Sequence, residues 1–421
     1  MPNRPRDIAS IRPLMLIDGD WLALGGAERQ ALRLSRELAR AGMTVTILAR
    51  NPAGHLPDYE RKDGLTIYRL PLQGVGPLAK LKGTIPATRW LVRHRDKYDL
   101  IHCHGQNPFE WSALPAKTIT GIPYLVKCPN PYFTEYTFPV SLLTKHPDGN
   151  SRRILSATRR LLQPGLKTMR RQFLKHADRI IAVSPEVAGA LAEGGLTHAA
   201  RIPNGIDTEK FHPVAPEEKA RLRRQLGISS EAVVFVYSGR LSVEKNLPTL
   251  LRAWEILSGK NNLAAARLII LGGSEGQTFA VEKELRHFVD HNRLPRIDFA
   301  GIVPDVRDYL QAADVFVHPS LREGLSNAIL EAVACGLPVI ASEGTPGNAT
   351  LVEHDISGFL FDPHDPQRLA AFMRELYDHP ERRRDMGLRA SRLARDEFDL
   401  AVIARRIIDE YQNILAPRGK L

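Results

Sequence analysis

Short apolar, β-branched runs alternate along nearly the whole chain with longer amphipathic stretches. Pro13-Leu-Met-Leu-Ile17 reads as a buried strand. Ala27 to Ala41 reads as a helix, with Leu32, Leu34 and Leu38 set among Arg and Glu. Thr44-Val-Thr-Ile-Leu48 reads as the next strand. Leu100-Ile101-His102, Tyr124-Leu-Val126 and Ile180-Ile-Ala-Val183 follow, the last running into a helix from Pro185. Such strand–helix–strand alternation is satisfied by mostly parallel sheets with helices on their faces, so the fold class is α/β. Pro203-Asn204-Gly205, with Pro213 and Pro216 close behind, is a strong turn signal and marks a domain boundary. A second set then begins with Val233-Val-Phe-Val-Tyr237 and Arg267-Leu-Ile-Ile-Leu271. It continues through Asp298-Phe-Ala300, Val315-Phe-Val-His318, Pro338-Val-Ile-Ala341 and Gly358-Phe-Leu-Phe361. From Asp399 to Leu415, Ile403, Ile407, Ile408, Tyr411 and Leu415 recur at helical spacing.

A chain of 421 residues has room for two to three domains at about 150 residues each. Its 43% hydrophobic and 25% charged residues exclude a mostly disordered or fibrous chain. No apolar run reaches the roughly 18 residues of a membrane-spanning helix. MPNRPRDIASIRP lacks the apolar core of a signal peptide, and Cys103, Cys128 and Cys335 are few and far apart, so a reducing cytoplasm is expected. The charge is uneven: 30 basic against 16 acidic residues in 1–204, and 28 against 31 in 205–421. A basic first half favours a polyanionic partner: a phosphorylated substrate, an anionic membrane or a nucleic acid.

Three loops carry chemistry. Gly25-Gly26-Ala-Glu28 joins the first strand to the first helix, where glycines allow close backbone approach and the helix N-terminus offers N–H groups to an anion. Gly239-Arg240-Leu-Ser-Val-Glu244-Lys245 follows the first strand of the second set, at the strand end where open α/β sheets bind ligands. Arginine there supplies a planar donor fork and lysine a mobile point charge, both suited to phosphate oxygens. The strongest signal is Pro319-Ser-Leu-Arg-Glu323-Gly324-Leu325-Ser326-Asn327-Ala-Ile-Leu-Glu331. Glu323 falls in the loop. Glu331 falls within a very apolar helix, where a partly buried carboxylate needs a partner such as a ribose diol.

These segments, in this order, resemble a retaining family-4 glycosyltransferase of the GT-B fold: two Rossmann-like domains facing across a cleft. The resemblance also takes in His102-Cys-His104-Gly105, Ile202-Pro-Asn-Gly-Ile-Asp207, Gly272-Gly273 and Gly347-Asn-Ala. It implies an N-terminal acceptor domain at 1–203, completed by a C-terminal helix at 397–421 that crosses back, and a donor domain at 204–396. It implies that Arg240 and Lys245 grip the diphosphate of a nucleotide-sugar, with Gly25, Gly26, Gly239, Gly324, Leu325, Ser326 and Asn327 completing that site. Glu331 would hold the ribose, Glu323 the sugar, and His104 would sit near sugar and acceptor. A UDP-sugar donor, a glycan or lipid-linked acceptor as in polysaccharide or lipopolysaccharide assembly, no cofactor and no metal are the implied reactants. Gly42-Met43 where the family often has Gly-His, and Thr350 where it often has Glu, depart from the pattern. Residues 128–175 match nothing in it.

Some features have plainer readings. Asp18-Gly19-Asp20 has the form of a metal-diphosphate motif, but a polar strand-end loop explains it. His102 and His104 fall on the opposite strand face from Cys103, which argues against a shared zinc site with Cys128. From Arg152 to Ala177 there are eight basic residues and no acidic one. Within that run Lys167, Arg170, Arg171 and Lys175 could place a basic amphipathic helix on an anionic membrane at the inner face of the cell membrane, or simply form a solvated face. Trp90 among Arg89, Arg93 and Arg95 is a second candidate anchor. The competing functions are the same fold acting on a soluble acceptor, a sugar-nucleotide epimerase, and a basic nucleic-acid binder. The last lacks any nucleic-acid module, so no nucleic-acid partner is expected.

Overall fold

A computed structural model describes residues 7–19, 26–52, 54–72, 77–130, 164–260, 265–273, 281–345 and 347–416. The chain forms two compact units, residues 1–205 with 400–421, and residues 206–399.

Among its described residues the first unit holds eight strands: β1 (Pro13–Ile17), β2 (Thr46–Arg50), β3 (Tyr59–Lys62), β4 (Leu65–Leu70), β5 (Leu100–Cys103), β6 (Tyr124–Cys128), β7 (Arg179–Ala182) and β8 (Ala199–Arg201). Their order is β3-β4-β2-β1-β5-β6-β7-β8. All neighbours are parallel except β3 and β4, an antiparallel hairpin closed by Asp63 (φ 52°) and Gly64 (φ 75°). Two positive φ angles in a two-residue loop are what a tight hairpin requires. β1, β2, β5 and β6 are buried at every position, which accounts for their nearly unbroken apolar runs. The helix Gly26–Arg40 covers one face with Ala31, Leu34 and Leu38, and the helix Leu400–Leu415 adds Ile403, Ile407 and Tyr411 to the same core. Helix starts are marked in the sequence: Ser184 accepts from the Val187 N–H at 3.3 Å, with Pro185 in the first turn.

The helix that follows the undescribed residues 131–163 runs from 164 to 175 and packs inward through Leu166, Phe173 and Leu174. Arg170 is buried with them, and its guanidinium donates to Gln106 Oε1 at 3.0 Å. This corrects the membrane-face reading of Arg170. Lys167, Arg171 and Lys175 remain exposed beside Met169. Trp90 is likewise engaged, stacked on His94 at 4.3 Å and tilted against Tyr68.

The second unit holds β9 (Val233–Ser238), β10 (Ala266–Leu271), β11 (Ile297–Gly301), β12 (Val315–His318), β13 (Val339–Ser342) and β14 (Gly358–Phe361). The order is β11-β10-β9-β12-β13-β14, all parallel. Strand order reverses between β9 and β12, and the loops that leave their carboxyl ends diverge there to open a crevice. In the first unit the equivalent switch lies between β1 and β5.

Gly272, just after β10, holds this crest together. At φ +127° any side chain is strained, and a Cβ would meet the Gly239 carbonyl oxygen at 1.8 Å. Gly272 also donates to the Gly301 carbonyl at 2.7 Å. Gly272→Ala is expected to destabilise the second unit by about 2 kcal/mol or more, because neither backbone can yield. Urea midpoints followed by circular dichroism check this; an unchanged midpoint would mean that β9 and β10 can separate freely here.

Candidate active site

Two loops meet at the β9/β12 switch. After β9 the chain turns through Gly239 into Arg240, and a short 3-10 turn, Val243–Lys245, brings Lys245 back toward the strand ends. The Leu321 N–H donates to the Glu244 carbonyl at 2.8 Å and ties this loop to the one after β12. The second loop is fixed from beneath. Gly347 (φ +84°) lies so close that a Cβ would meet the Gly324 carbonyl at 2.1 Å. Thr345 Oγ1 donates to the Ser320 carbonyl at 3.0 Å, and Asn348 Nδ2 to the Ser342 carbonyl at 2.8 Å.

This scaffold brings Lys245 and Glu323 into an ion pair with both side chains largely buried. His318, the last residue of β12, faces Glu323 Oε1 through Nε2 at 3.2 Å. Ser320 Oγ and Ser326 Oγ lie 3.1 and 3.2 Å from the same nitrogen. Burial alone raises the Glu323 carboxyl, but the His318 hydrogen bond and the charges of Lys245 and His318 outweigh it and hold it down at about 2. Burial lowers His318. The cluster is therefore a fixed carboxylate gripping an ammonium. An ammonium has three donors, and Glu323 occupies only part of that capacity.

Ser326 caps the helix Asn327–Ala334, accepting from the Ile329 N–H at 3.4 Å. Gly324 and Asn327 are half-buried, and Leu325 and Ser326 are buried. Glu331 is 5% exposed inside this helix. Arg240 stands further out, 58% exposed, leaning on Glu244 at 3.4 Å. A hollow of about 720 Å³ opens beside these loops, lined by Glu244, Leu321, Arg322, Glu343 and His364 among others. The arrangement offers cations and a capped helix N-terminus to an anion at the place where Rossmann-like sheets bind nucleotides.

In the first unit the β1/β5 switch carries a second polar cluster. Asp18 is buried and held by Arg50 Nε and Lys80 Nζ, each at 2.6 Å. Its backbone N–H donates to Glu110 Oε1 at 3.3 Å, and burial followed by Asp18's charge raises the Glu110 carboxyl. Asp18 thus serves as the anchor of a strand-end loop; Asp20 and Gly25 lie outside the described residues. Gly26 opens the first helix. His104 is 5% exposed, its ring stacked on His102 at 4.1 Å, with Nε2 3.3 Å from Met15 Sδ. His102 Nδ1 lies 2.7 Å from the Tyr411 hydroxyl. Cys103 points elsewhere, toward the Glu110 carbonyl. Met43 is 4% exposed, a structural residue.

Sequence reasoning missed His318, Glu110 and Lys127. His318 had a signal, a histidine closing a buried strand directly before the loop. The other two had none, since their surroundings come from distant segments.

Residues 218–392 match the family model for glycosyl transferases group 1, and residues 24–210 match that for glycosyltransferase family 4. The chain is a family-4 glycosyltransferase. It is 28% identical to a D-inositol 3-phosphate glycosyltransferase of Thermobispora bispora, over 93% of this chain and 90% of that one. It is 26% identical to the Escherichia coli UDP-Gal:alpha-D-GlcNAc-diphosphoundecaprenol alpha-1,3-galactosyltransferase, over 81% and 82%. Among solved structures, sucrose-phosphate synthase from Thermosynechococcus elongatus superposes with a TM-score of 0.78 at 22% identity, covering 97% of this chain and all of that one. HepE of Anabaena, in complex with UDP, superposes at 0.74 and 22% identity, covering 96% and 100%. The fold of this glycosyltransferase is therefore GT-B, with two Rossmann-like α/β domains.

The Glu323 cluster predicts a pH signature. A carboxyl held below its unfolded value contributes stability that is present above about pH 4.5 and lost as pH falls toward 2. Glu323→Gln removes the charge at every pH. The stability gap between wild type and variant should therefore be on the order of 3 kcal/mol near neutrality and should close between pH 4.5 and 2. Denaturant midpoints across that range test it. A gap independent of pH would mean that packing, not charge, makes Glu323 matter.

Proposed function

We propose that this enzyme transfers a sugar, with retention of anomeric configuration, from a UDP-sugar to a hydroxyl of a lipid-linked or envelope glycan. The observation that carries the reading is the Lys245–Glu323–His318 cluster at the β9/β12 switch, with Arg240 beside it. Arg240 and Lys245 take the diphosphate, and the N–H groups at Ser326–Ala328 complete its binding. Gly239, Gly324 and Leu325 line the donor, Glu331 holds the ribose, and Glu323 orients both Lys245 and the sugar. His104 stands on the acceptor side. The chemistry is stabilisation of the leaving group: charge builds on the departing diphosphate and is met by fixed positive groups, without a metal. The acceptor hydroxyl attacks from the face that the diphosphate leaves and passes its proton to a phosphate oxygen, so no enzymic nucleophile is required. UDP as donor base is supported by the UDP bound in HepE and by the name of the E. coli relative, which also names a diphosphoundecaprenol acceptor.

Arg240→Ala and Lys245→Ala should each lower kcat/KM by about 10²- to 10³-fold while leaving the fold intact. Transfer should survive EDTA, and the product's anomeric proton should report retention by NMR. Wild-type turnover in both variants, or EDTA loss restored by Mg²⁺ or Mn²⁺, would overturn the assignment of these groups.

A peripheral position on the inner membrane face rests on Lys167, Arg171 and Lys175, each worth about 1 kcal/mol beside anionic lipid. Changing all three to Gln should reduce co-sedimentation with anionic vesicles at low salt. No pelleting of the wild type would favour the soluble-acceptor form of the reaction.

A further inference from the structure

Among the described residues one buried cation that the mechanism above does not use also lacks an ion pair. Lys127, near the carboxyl end of β6, is 6% exposed. It makes no ion pair or hydrogen bond among the described residues, and burial lowers its ammonium to about 8 with no carboxylate opposing the shift. The strand register pairs His102 with Leu125 and Cys103 with Val126, so continuing it sets His104 opposite Lys127 on the same sheet face. The charge of Lys127 reaches both histidines. His104 Nδ1 and His102 Nε2 are themselves buried without a hydrogen-bond partner. Three groups able to carry positive charge thus converge at one strand-end edge, and no acid among the described residues answers them.

Compare the other buried cations of the unit. Arg50 has Asp18, Arg69 has Glu60, and Arg170 has Gln106. A buried ammonium without a partner is destabilising, and a methionine of similar length would fill the same space at less cost. An anionic ligand would supply the missing charge.

We propose that Lys127, with His104 and His102, forms an anion subsite that takes a carboxylate or phosphate group carried by one of the enzyme's substrates. This rests on the transferase reading for its biological meaning, but the subsite itself can be measured without transfer. The anion seats against the Lys127 ammonium and accepts from the imidazole nitrogen that now lacks a partner. Two sources offer such a group: a uronic acid on the donor, or a phosphate on the acceptor.

The first experiment uses the full chain, inorganic phosphate and Lys127→Met. Phosphate should raise the wild-type Tm and shift the His104 ring resonances. Lys127→Met should raise the basal Tm, by removing an unpaired buried charge, and abolish both phosphate effects. A lowered basal Tm with the phosphate response retained, or no response of the wild type to phosphate, overturns the subsite and leaves the transferase assignment standing. Failure of every sugar nucleotide to bind would instead strike the transferase reading. The source is then read from two pairs, UDP-glucuronate against UDP-glucose and glucose 6-phosphate against glucose. The charged member of one pair should bind at least tenfold tighter in the wild type, and that preference should vanish in Lys127→Met. Equal binding within both pairs overturns the proposal.

Discussion

A parallel strand buried on both faces has nowhere along its length to keep a polar group, because every side chain meets a helix layer. Polar chemistry in such a sheet gathers at the strand ends. β1, β5, β6 and β12 are buried at every position, and each delivers a charged or imidazole side chain at or beside its carboxyl end. Asp18 follows β1, His104 follows β5, Lys127 is one residue from the end of β6, and His318 ends β12. The reversal of strand order in each unit then decides which of these ends lie beside an open crevice. Chemistry at the two switches is thus a consequence of topology before it is a matter of particular residues.

The two units solve the electrostatic problem differently. In the second, two cations at the crest lean on acids: Lys245 on Glu323 and Arg240 on Glu244. Such pairing fixes both cations in place and offsets their charge. In the first, Asp18 is matched by Arg50 and Lys80, whereas the edge at His104 and Lys127 carries no acid partner among the described residues. The basic excess of residues 1–204 is therefore not only a surface property; part of it is buried.

Much of the architecture was legible in the sequence. Pro13–Ile17, Val315–His318 and Gly358–Phe361 are strands at the residues their apolar runs indicate. The strand read at Thr44–Leu48 lies at Thr46–Arg50, because Arg50 is drawn inside by Asp18 and the ladder extends past the apolar run. The strand read at Tyr124–Val126 continues to Cys128 through Lys127, which hydropathy takes as an end. The hairpin at β3 and β4 escaped notice because Tyr59-Glu-Arg-Lys62 is a polar edge, although Asp63-Gly64 is the turn such a hairpin uses. Charge runs misled in the opposite direction. Arg170 sits in a basic stretch but at helical spacing with Leu166, Phe173 and Leu174, and its depth is set by Gln106, sixty-four residues away in the chain. Loop motifs were readable because their residues are neighbours in sequence. The supporting histidine and the buried lysine were not, since what surrounds them comes from other strands.

The helix Leu400–Leu415 belongs to the core begun by β1 and β2. Ile403, Ile407 and Tyr411 close over side chains made almost four hundred residues earlier, with all of the second unit lying between. On a ribosome adding about 5–20 residues per second, the first unit waits roughly 10–40 seconds with that face uncovered. The second unit, continuous in sequence, can fold in the interval. Birth order and completion order are thus reversed for this chain. The half that emerges first is the half that is completed last, and a chain truncated before residue 400 would carry every residue of the second unit joined to a first unit whose core lacks Ile403, Ile407 and Tyr411.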